Sequence, residues 1–194
     1  LRANVQDYSL PGKMGRDISD CTVGVIGTGK IGQTVIRNLS GFGCKMLAYD
    51  LYPNDAVKKY ADYVTLDELY ARSDVITLHT NATAENRHLI NADAIAKMKD
   101  GVRIINIARG ELVDEDVMAA ALACGKVARY VSDFASDAML AQKNAVIMPH
   151  LGASTPESED NCAKMAAAEI REFLEYGTIR NSVNFPNLKV PYEG

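Results

Sequence analysis

The sequence predicts an α/β chain built on a doubly wound parallel sheet of Rossmann type. Three observations carry this expectation. Apolar, often β-branched runs alternate with helix-patterned segments along most of the chain. The first run, Thr22-Val-Gly-Val-Ile-Gly27, flows into G-x-G-x-x-G, with Gly27, Gly29 and Gly32 in the glycine positions. The second, Lys45-Met-Leu-Ala-Tyr-Asp50, ends in an acid 18 residues after Gly32.

Residues 1–20 are polar and punctuated by Pro11, Gly12 and Gly15, which reads as an N-terminal arm. One domain is expected over 21–180, and a tail over 181–194. Strands are expected over Thr22–Gly27, Lys45–Asp50, a short stretch near Tyr63–Leu66, Val75–Thr80, Arg103–Ala108, Val127–Phe134 and Ala145–Met148. Several are apolar throughout, as strands covered on both faces should be. Helices are expected near Ile31–Phe42, Asp55–Tyr60, Asp67–Arg72, Ala92–Met98 and Asp114–Ala123, with Gly43 placed to stop the first. Ser154-Thr-Pro-Glu157 offers a cap, a proline in the first turn and an acid, so a last long helix should run to about Tyr176 and stop at Gly177.

Composition narrows the function. The chain has 194 residues, 47% hydrophobic and 24% charged, enough for a sizeable core. A net charge of −4 gives no reason to expect nucleic acid or an anionic membrane surface. No apolar run approaches the ~20 residues of a membrane span. The start carries no signal-peptide pattern, and Leu1 rather than Met opens the chain, as in a fragment or a processed product. Cys21, Cys44, Cys124 and Cys162 are scattered without metal-ligand spacing, which fits free thiols in a reducing cytoplasm and no bound metal.

The glycine motif carries a cofactor expectation. Gly27 permits a sharp turn, Gly29 leaves room for a pyrophosphate against the backbone, and Gly32 lets the helix lie close to its strand. The backbone of Lys30 and Ile31 then offers N–H groups at the positive end of a helix. Asp50 suits the two ribose hydroxyls of an adenosine and repels a 2′-phosphate. Alone, it also reads as a turn residue before Pro53. No Arg follows it directly, and Lys58 and Lys59 read as solvated helix charges. NAD is therefore expected over NADP.

Ligands of such sheets bind at the carboxyl ends of the strands. That rule gathers Thr80, Asn81 and Ala82; Ile107, Ala108 and Arg109; Asp133, Ser136 and Asp137; and His150, Gly152 and Ala153 along one edge. Arg109 ends a buried run, where a charge is costly unless it binds something, and a guanidinium can grip a carboxylate in bidentate fashion. A salt bridge to Glu111 or Asp114 is the plainer reading. His150 can exchange a proton near neutral pH, with Asp137 as the acid that would orient it. Taken singly, His150 is also a backbone-satisfied strand-end residue, and Asp137 a loop or helix-cap residue. His79 reads as structural and His88 as a surface residue. Glu111, Asp114, Glu115 and Asp116 read as a solvated helix start.

Together, Val25-Ile-Gly-Thr-Gly-Lys-Ile-Gly32, Asn106-Ile-Ala-Arg-Gly-Glu-Leu-Val-Asp-Glu115 and Pro149-His-Leu-Gly-Ala-Ser-Thr155 resemble the D-2-hydroxyacid dehydrogenases in order and spacing. Ser40 to Pro53 looks like the D-lactate branch. Pro149 to Thr155, Glu159-Asp-Asn-Cys162 and Asn181-Ser-Val-Asn-Phe-Pro186 look like the D-3-phosphoglycerate branch. The resemblance implies hydride transfer between C4 of a nicotinamide and the 2-carbon of a D-2-hydroxy acid. It implies Arg109 on the substrate carboxylate and His150 as acid/base. Asp137 stands where the family holds that His with a Glu. The family acid at the nicotinamide carboxamide falls on Asp133, or in strict register on Ser132. Asn81 replaces a frequent proline. Resemblance also implies a homodimer acting on a small 2-hydroxy or 2-keto acid.

Family enzymes place about a hundred further residues of substrate domain before this region, where the chain has some twenty. The expectation is an NAD(H)-binding domain with weak turnover at most. An active minimal dehydrogenase and an NAD(H)-sensing interaction module are the alternatives.

Overall fold

The computed structural model describes residues 15–188, and the chain forms two compact units, Leu1–Pro149 and His150–Gly194. Residues 1–14 of the expected arm and 189–194 of the expected tail lie outside the described residues.

The first unit is a seven-stranded sheet of β1 (Thr22–Ile26), β2 (Lys45–Tyr49), β3 (Asp62–Tyr63), β4 (Val75–Leu78), β5 (Val102–Asn106), β6 (Val127–Ser132) and β7 (Ala145–Ile147). The order is β3-β2-β1-β4-β5-β6-β7, and each neighbouring pair is parallel. Helices α1 (Lys30–Ser40), α2 (Asp55–Lys58), α3 (Leu66–Arg72), α4 (Ala92–Lys97), α5 (Glu115–Ala123) and α6 (Asp137–Leu140) lie between the strands in sequence. This is the doubly wound architecture that the sequence predicts.

Local chemistry sets the helix starts. Thr65 accepts from the Glu68 N–H, Asn91 from Ala94 and Asp114 from Val117, each filling an orphan donor of a first turn. Asn54 does the same for α2 through the Ala56 N–H. The Ser136–Leu140 segment, read as loop or cap, is the short helix α6. Ser136 caps it by accepting from the Met139 N–H, so Asp137 is its first residue rather than its cap.

Strand period two then distributes the core. Val23, Val25, Met46 and Ala48 pack with Ile36 of α1 and Val57 of α2 on one face. Ile26, Leu47, Ile76, Leu78 and Ile104 pack with Leu69, Ile95 and Met118 on the other. Gly24 is needed between these layers, because a Cβ there would stand 2.6 Å from a methyl of Leu69 and 2.4 Å from Ser73 Oγ.

Six of the seven strands end one or two residues before their expected runs do, and β3 ends at Tyr63, three residues before Leu66. Gly27, Asp50, Thr80, Ala108 and Phe134 leave the ladder and form the loops at its carboxyl edge. Apolar patterning does not mark that exit.

The second unit carries α7 (Pro156–Tyr176). Thr155 caps it through the Ser158 N–H, Pro156 opens its first turn, and Gly177 ends it at φ 68°. The chain then turns back through an antiparallel bridge between Ile179 and Leu188. Among the described residues, no helix is long and apolar enough to cross a membrane.

Candidate functional site

The strand order reverses at β1. Strand β2 lies on one side of it and β4 on the other, so the chain leaves β1 and β4 in a crevice at their carboxyl ends. The glycine turn follows β1 at that crevice, and Thr80, Asn81 and Ala82 follow β4.

The turn is built as its spacing predicts. Gly27 sits at φ 94°, and a Cβ there would meet the His79 carbonyl at 2.6 Å. Its N–H donates to Tyr49 O at 2.9 Å. A Cβ on Gly32 would stand 2.0 Å from Gly27 O, so α1 can lie this close to the turn only with glycine there. Gly29 is the N-cap of α1 and faces open space, with no heavy atom within 4 Å of where its Cβ would be. No side chain caps this helix, and Lys30 and Ile31 are exposed beside it. The arrangement is a cradle for a phosphate group, with backbone donors at a positive helix end.

Asp50 stands immediately after β2 and is tied to this turn. Its Oδ2 accepts from the Thr28 N–H at 2.6 Å and the Thr28 hydroxyl at 3.0 Å, and its Oδ1 accepts from the Tyr52 N–H at 2.9 Å. Burial alone would raise the pKa of this carboxyl. Hydrogen bonds from Thr28, Tyr52 and Leu51 outweigh burial and hold the pKa below the ordinary aspartate value. The side chain is therefore a fixed, ionised acceptor at neutral pH.

A cavity of about 610 Å³ opens beside it, lined by Gly27, Asp50, Tyr52, Thr80, Asn81 and Asn86 among others. Leu51 and Tyr52 are large, exposed apolar groups at its rim. Asn86 shapes the opposite wall: its Oδ1 accepts from the Thr83 N–H and its Nδ2 donates to Asn81 O, each at 2.7 Å. Ala82 packs back onto the core. A dinucleotide's adenosine half fits these residues: a cradle with no Cβ, an ionised acceptor and an apolar rim.

The ends of β5 and β6 hold the next group. Asn106 is fully buried. It donates to Arg109 O at 2.9 Å and accepts from the Ala108 N–H at 3.2 Å, which sets the turn that presents Ile107, Ala108 and Arg109. Arg109 is exposed, with Nη1 donating to Ala108 O at 2.7 Å. The expected burial cost is thus absent, because β5 already ends at Asn106 and the guanidinium reaches water. Asp114, the salt-bridge candidate, instead caps α5 and lies 3.4 Å from His88 Nδ1. Ser132 ends β6 fully buried, its hydroxyl accepting from the Phe134 N–H, while Asp133 lies just beyond the strand. Asp137 is exposed in the first turn of α6.

His150 is the first residue of the second unit and is exposed. Gly152 and Ala153 follow it in an exposed turn closed by the Ser154 N–H on Leu151 O. The first unit therefore gathers the glycine turn, Asp50, Thr80, Asn81 and Ala82, Arg109, Asp133 and Asp137, while His150, Gly152 and Ala153 belong to the second. His79 lies under the turn. Its N–H donates to Ile26 O, its Nε2 lies 3.0 Å from Thr77 Oγ1, and burial lowers its pKa. Among the described residues no cluster of His, Cys, Asp or Glu can hold a metal ion, and all four cysteines are free.

Three participants escape the sequence reading: Thr28, Tyr63, whose hydroxyl donates to Thr28 Oγ1 at 2.8 Å, and Asn106. Thr28 lies inside the glycine motif as an unspecified position. Tyr63 reads only as part of a short strand. Asn106 reads as one polar residue in an apolar run, and that interruption was the available signal.

Comparison with known proteins places this geometry. Residues 2–152 match the family model of the D-isomer specific 2-hydroxyacid dehydrogenase NAD binding domain. The chain is 39% identical to an aromatic 2-oxoacid reductase of Clostridium sporogenes, covering 93% of this chain and 61% of that protein. It is 37% identical to a D-lactate dehydrogenase of Lactiplantibacillus pentosus, covering 93% and 60%. Its fold is similar to the NAD-complexed D-isomer specific 2-hydroxyacid dehydrogenase of Lactobacillus delbrueckii ssp. bulgaricus, with TM-score 0.85 at 27% identity, covering 93% and 62%. The chain thus spans about 60% of the length of these curated relatives.

Proposed function

The chain belongs to the D-2-hydroxyacid dehydrogenase family as its NAD-binding domain, and from that premise we propose that it holds NAD(H) for the reversible reduction of a small 2-keto acid. The observation that carries this reading is the glycine turn hydrogen-bonded to the ionised Asp50 at the switch point of the sheet. The turn and the α1 N-terminus would take the pyrophosphate, with backbone from Lys30 and Ile31. Asp50 would take the adenosine ribose. Thr80, Asn81 and Ala82 would wall the adenine side, and Ile107, Ala108, Asp133, Gly152 and Ala153 would line the nicotinamide side. Bound there, NADH supplies a hydride to the carbonyl carbon.

The remaining chemistry belongs to side chains of this chain. Arg109, exposed at the end of β5, grips the substrate carboxylate in bidentate fashion. His150 gives a proton to the carbonyl oxygen during reduction and takes it back during oxidation. From the family resemblance alone, Asp137 is assigned as the acid that orients His150. The substrate class is that of the relatives, a lactate-like or aromatic 2-oxo acid, with phosphohydroxypyruvate as the alternative from the resemblance of residues 149–155. A cytoplasmic setting fits the free thiols. A homodimer is proposed from the family alone. The span of 21–180 is proposed as the cofactor-binding portion, between the arm and the tail.

Turnover by this chain alone is proposed to be weak at most. Orientation contributes about 7–11 kcal/mol to such barriers, and Arg109, Asp137 and His150 are all exposed to solvent in the structure. The test is NADH oxidation at high protein concentration with pyruvate, hydroxypyruvate, phosphohydroxypyruvate and an aromatic 2-keto acid. Slow or absent turnover is expected. A kcat in the ordinary range of about 1–10³ per second would replace this reading with an active minimal dehydrogenase.

A further inference from the structure

Four groups in the first unit form one directed chain of hydrogen bonds. The Asn54 N–H donates to the Tyr63 hydroxyl at 2.9 Å. The Tyr63 hydroxyl donates to Thr28 Oγ1 at 2.8 Å. The Thr28 hydroxyl donates to Asp50 Oδ2 at 3.0 Å. The direction is forced at both ends. A backbone N–H can only donate, and an ionised carboxylate can only accept. Each hydroxyl between them has one proton, so each must pass its donation towards Asp50.

This chain of bonds joins the start of α2, the edge strand β3, the end of β2 and the glycine turn, the last of these 35 residues from Tyr63. Thr28 is buried and Tyr63 is half-buried, so water competes weakly for these bonds. Without Tyr63, the Thr28 hydroxyl loses the donor that fixes its rotor. It can then turn away from Asp50, which would leave the carboxylate held on that side by the Thr28 N–H alone.

We propose that Tyr63 is a positioning residue for cofactor choice: through the Thr28 hydroxyl, it fixes the Asp50 carboxylate so that a free ribose is accepted and a 2′-phosphate repelled. The inference rests on the reading of Asp50 as the ribose acid. The Tyr63 ring also packs against the core cluster of Val23, Ile36 and Met46, so removal of the hydroxyl alone separates positioning from packing. A carboxylate held by the Thr28 and Tyr52 N–H groups without the hydroxyl is less closely fixed, loses part of its ribose bond and opposes a phosphate less directly. NADH should therefore suffer more than NADPH.

The test titrates NADH and NADPH by calorimetry into the parent chain, Tyr63→Phe, Thr28→Val, Asp50→Asn and the Tyr63→Phe/Asp50→Asn double variant, with melting temperatures measured alongside. Tyr63→Phe and Thr28→Val should each weaken NADH about three- to tenfold and leave NADPH within about twofold, the scale of one net hydrogen bond. The double variant should bind no more weakly than Asp50→Asn alone, because the tyrosine acts through that acid. Parallel weakening of both cofactors, or a Tyr63→Phe loss that persists in full beside Asp50→Asn, would overturn the proposal and leave the Asp50 reading standing. An unchanged NADH-to-NADPH ratio in Asp50→Asn would remove Asp50 from cofactor selection and take this inference with it.

Discussion

The Thr28 N–H lies 2.6 Å from Asp50 Oδ2, and this bond fastens the glycine turn to the end of β2. The proposed pyrophosphate cradle and the proposed ribose acceptor are thereby tied to each other. Asp50→Ala removes the acceptor and frees Thr28. A charged hydrogen bond contributes about 1.5–3 kcal/mol, so NADH affinity should fall by that amount and the preference over NADPH should narrow. Calorimetric titration of both cofactors reads the two changes.

Two glycine substitutions should separate folding from binding. Gly32→Ala puts a Cβ 2.0 Å from Gly27 O, a backbone atom that cannot step aside cheaply. It should cost about 1–3 kcal/mol of stability, as overpacking does, and weaken NADH as well. Gly29→Ala meets no atom within 4 Å and has φ −65°, which alanine adopts freely. It should leave the melting temperature nearly unchanged and still weaken NADH, because its methyl fills the space the pyrophosphate needs. Thermal melts and NADH titrations of both variants distinguish the two effects.

The foot of the sheet carries a pH-dependent lock. Asp74 accepts from the Thr22 N–H at 2.8 Å, Arg16 at 3.0 Å and Lys99 at 3.1 Å. Burial raises its pKa, but these donors outweigh burial and hold it below the usual aspartate value. A carboxyl with a depressed folded pKa contributes stability that is fully present above its unfolded value, near 3.9, and is lost as pH falls through the folded value. Asp74→Asn should therefore lower the melting temperature at pH 7. The gap to the parent should close as pH falls below about 4. Melting curves across that range check the sign.

Residual turnover, where detectable, should depend on the two strand-end groups. His150→Ala should lower kcat about 10²-fold or more, the usual worth of a general acid. Arg109→Ala should raise KM for the keto acid and leave NADH affinity unchanged, since its guanidinium is assigned to the carboxylate. Steady-state assays with a fixed saturating NADH concentration separate the two.

The sheet was legible because both the strand period and the glycine spacing have single physical causes. Buried parallel strands must be apolar, and a turn this tight admits only glycine at Gly27 and Gly32. Asp50 was legible because it ends the second strand, where the crevice lies. Tyr63 and Thr28 were not. Their roles depend on a contact between residues 35 apart, and nothing in either local pattern encodes it. Arg109 follows β5 as its position in the sequence suggests, but the burial argument for it fails, because the residue is exposed. Just past β5 the Asn106 side chain bonds to the Arg109 carbonyl and the Ala108 N–H, contacts that apolar patterning does not reveal.

The central claim is that this chain is an NAD(H)-selective binding domain. It is tested most directly by calorimetric titration of the unmodified chain with NADH and, separately, NADPH. The account predicts one NADH per chain and an affinity for NADH at least about tenfold above that for NADPH, the discrimination expected of one charged hydrogen bond. Equal affinities, or no heat of binding with NADH, would contradict it.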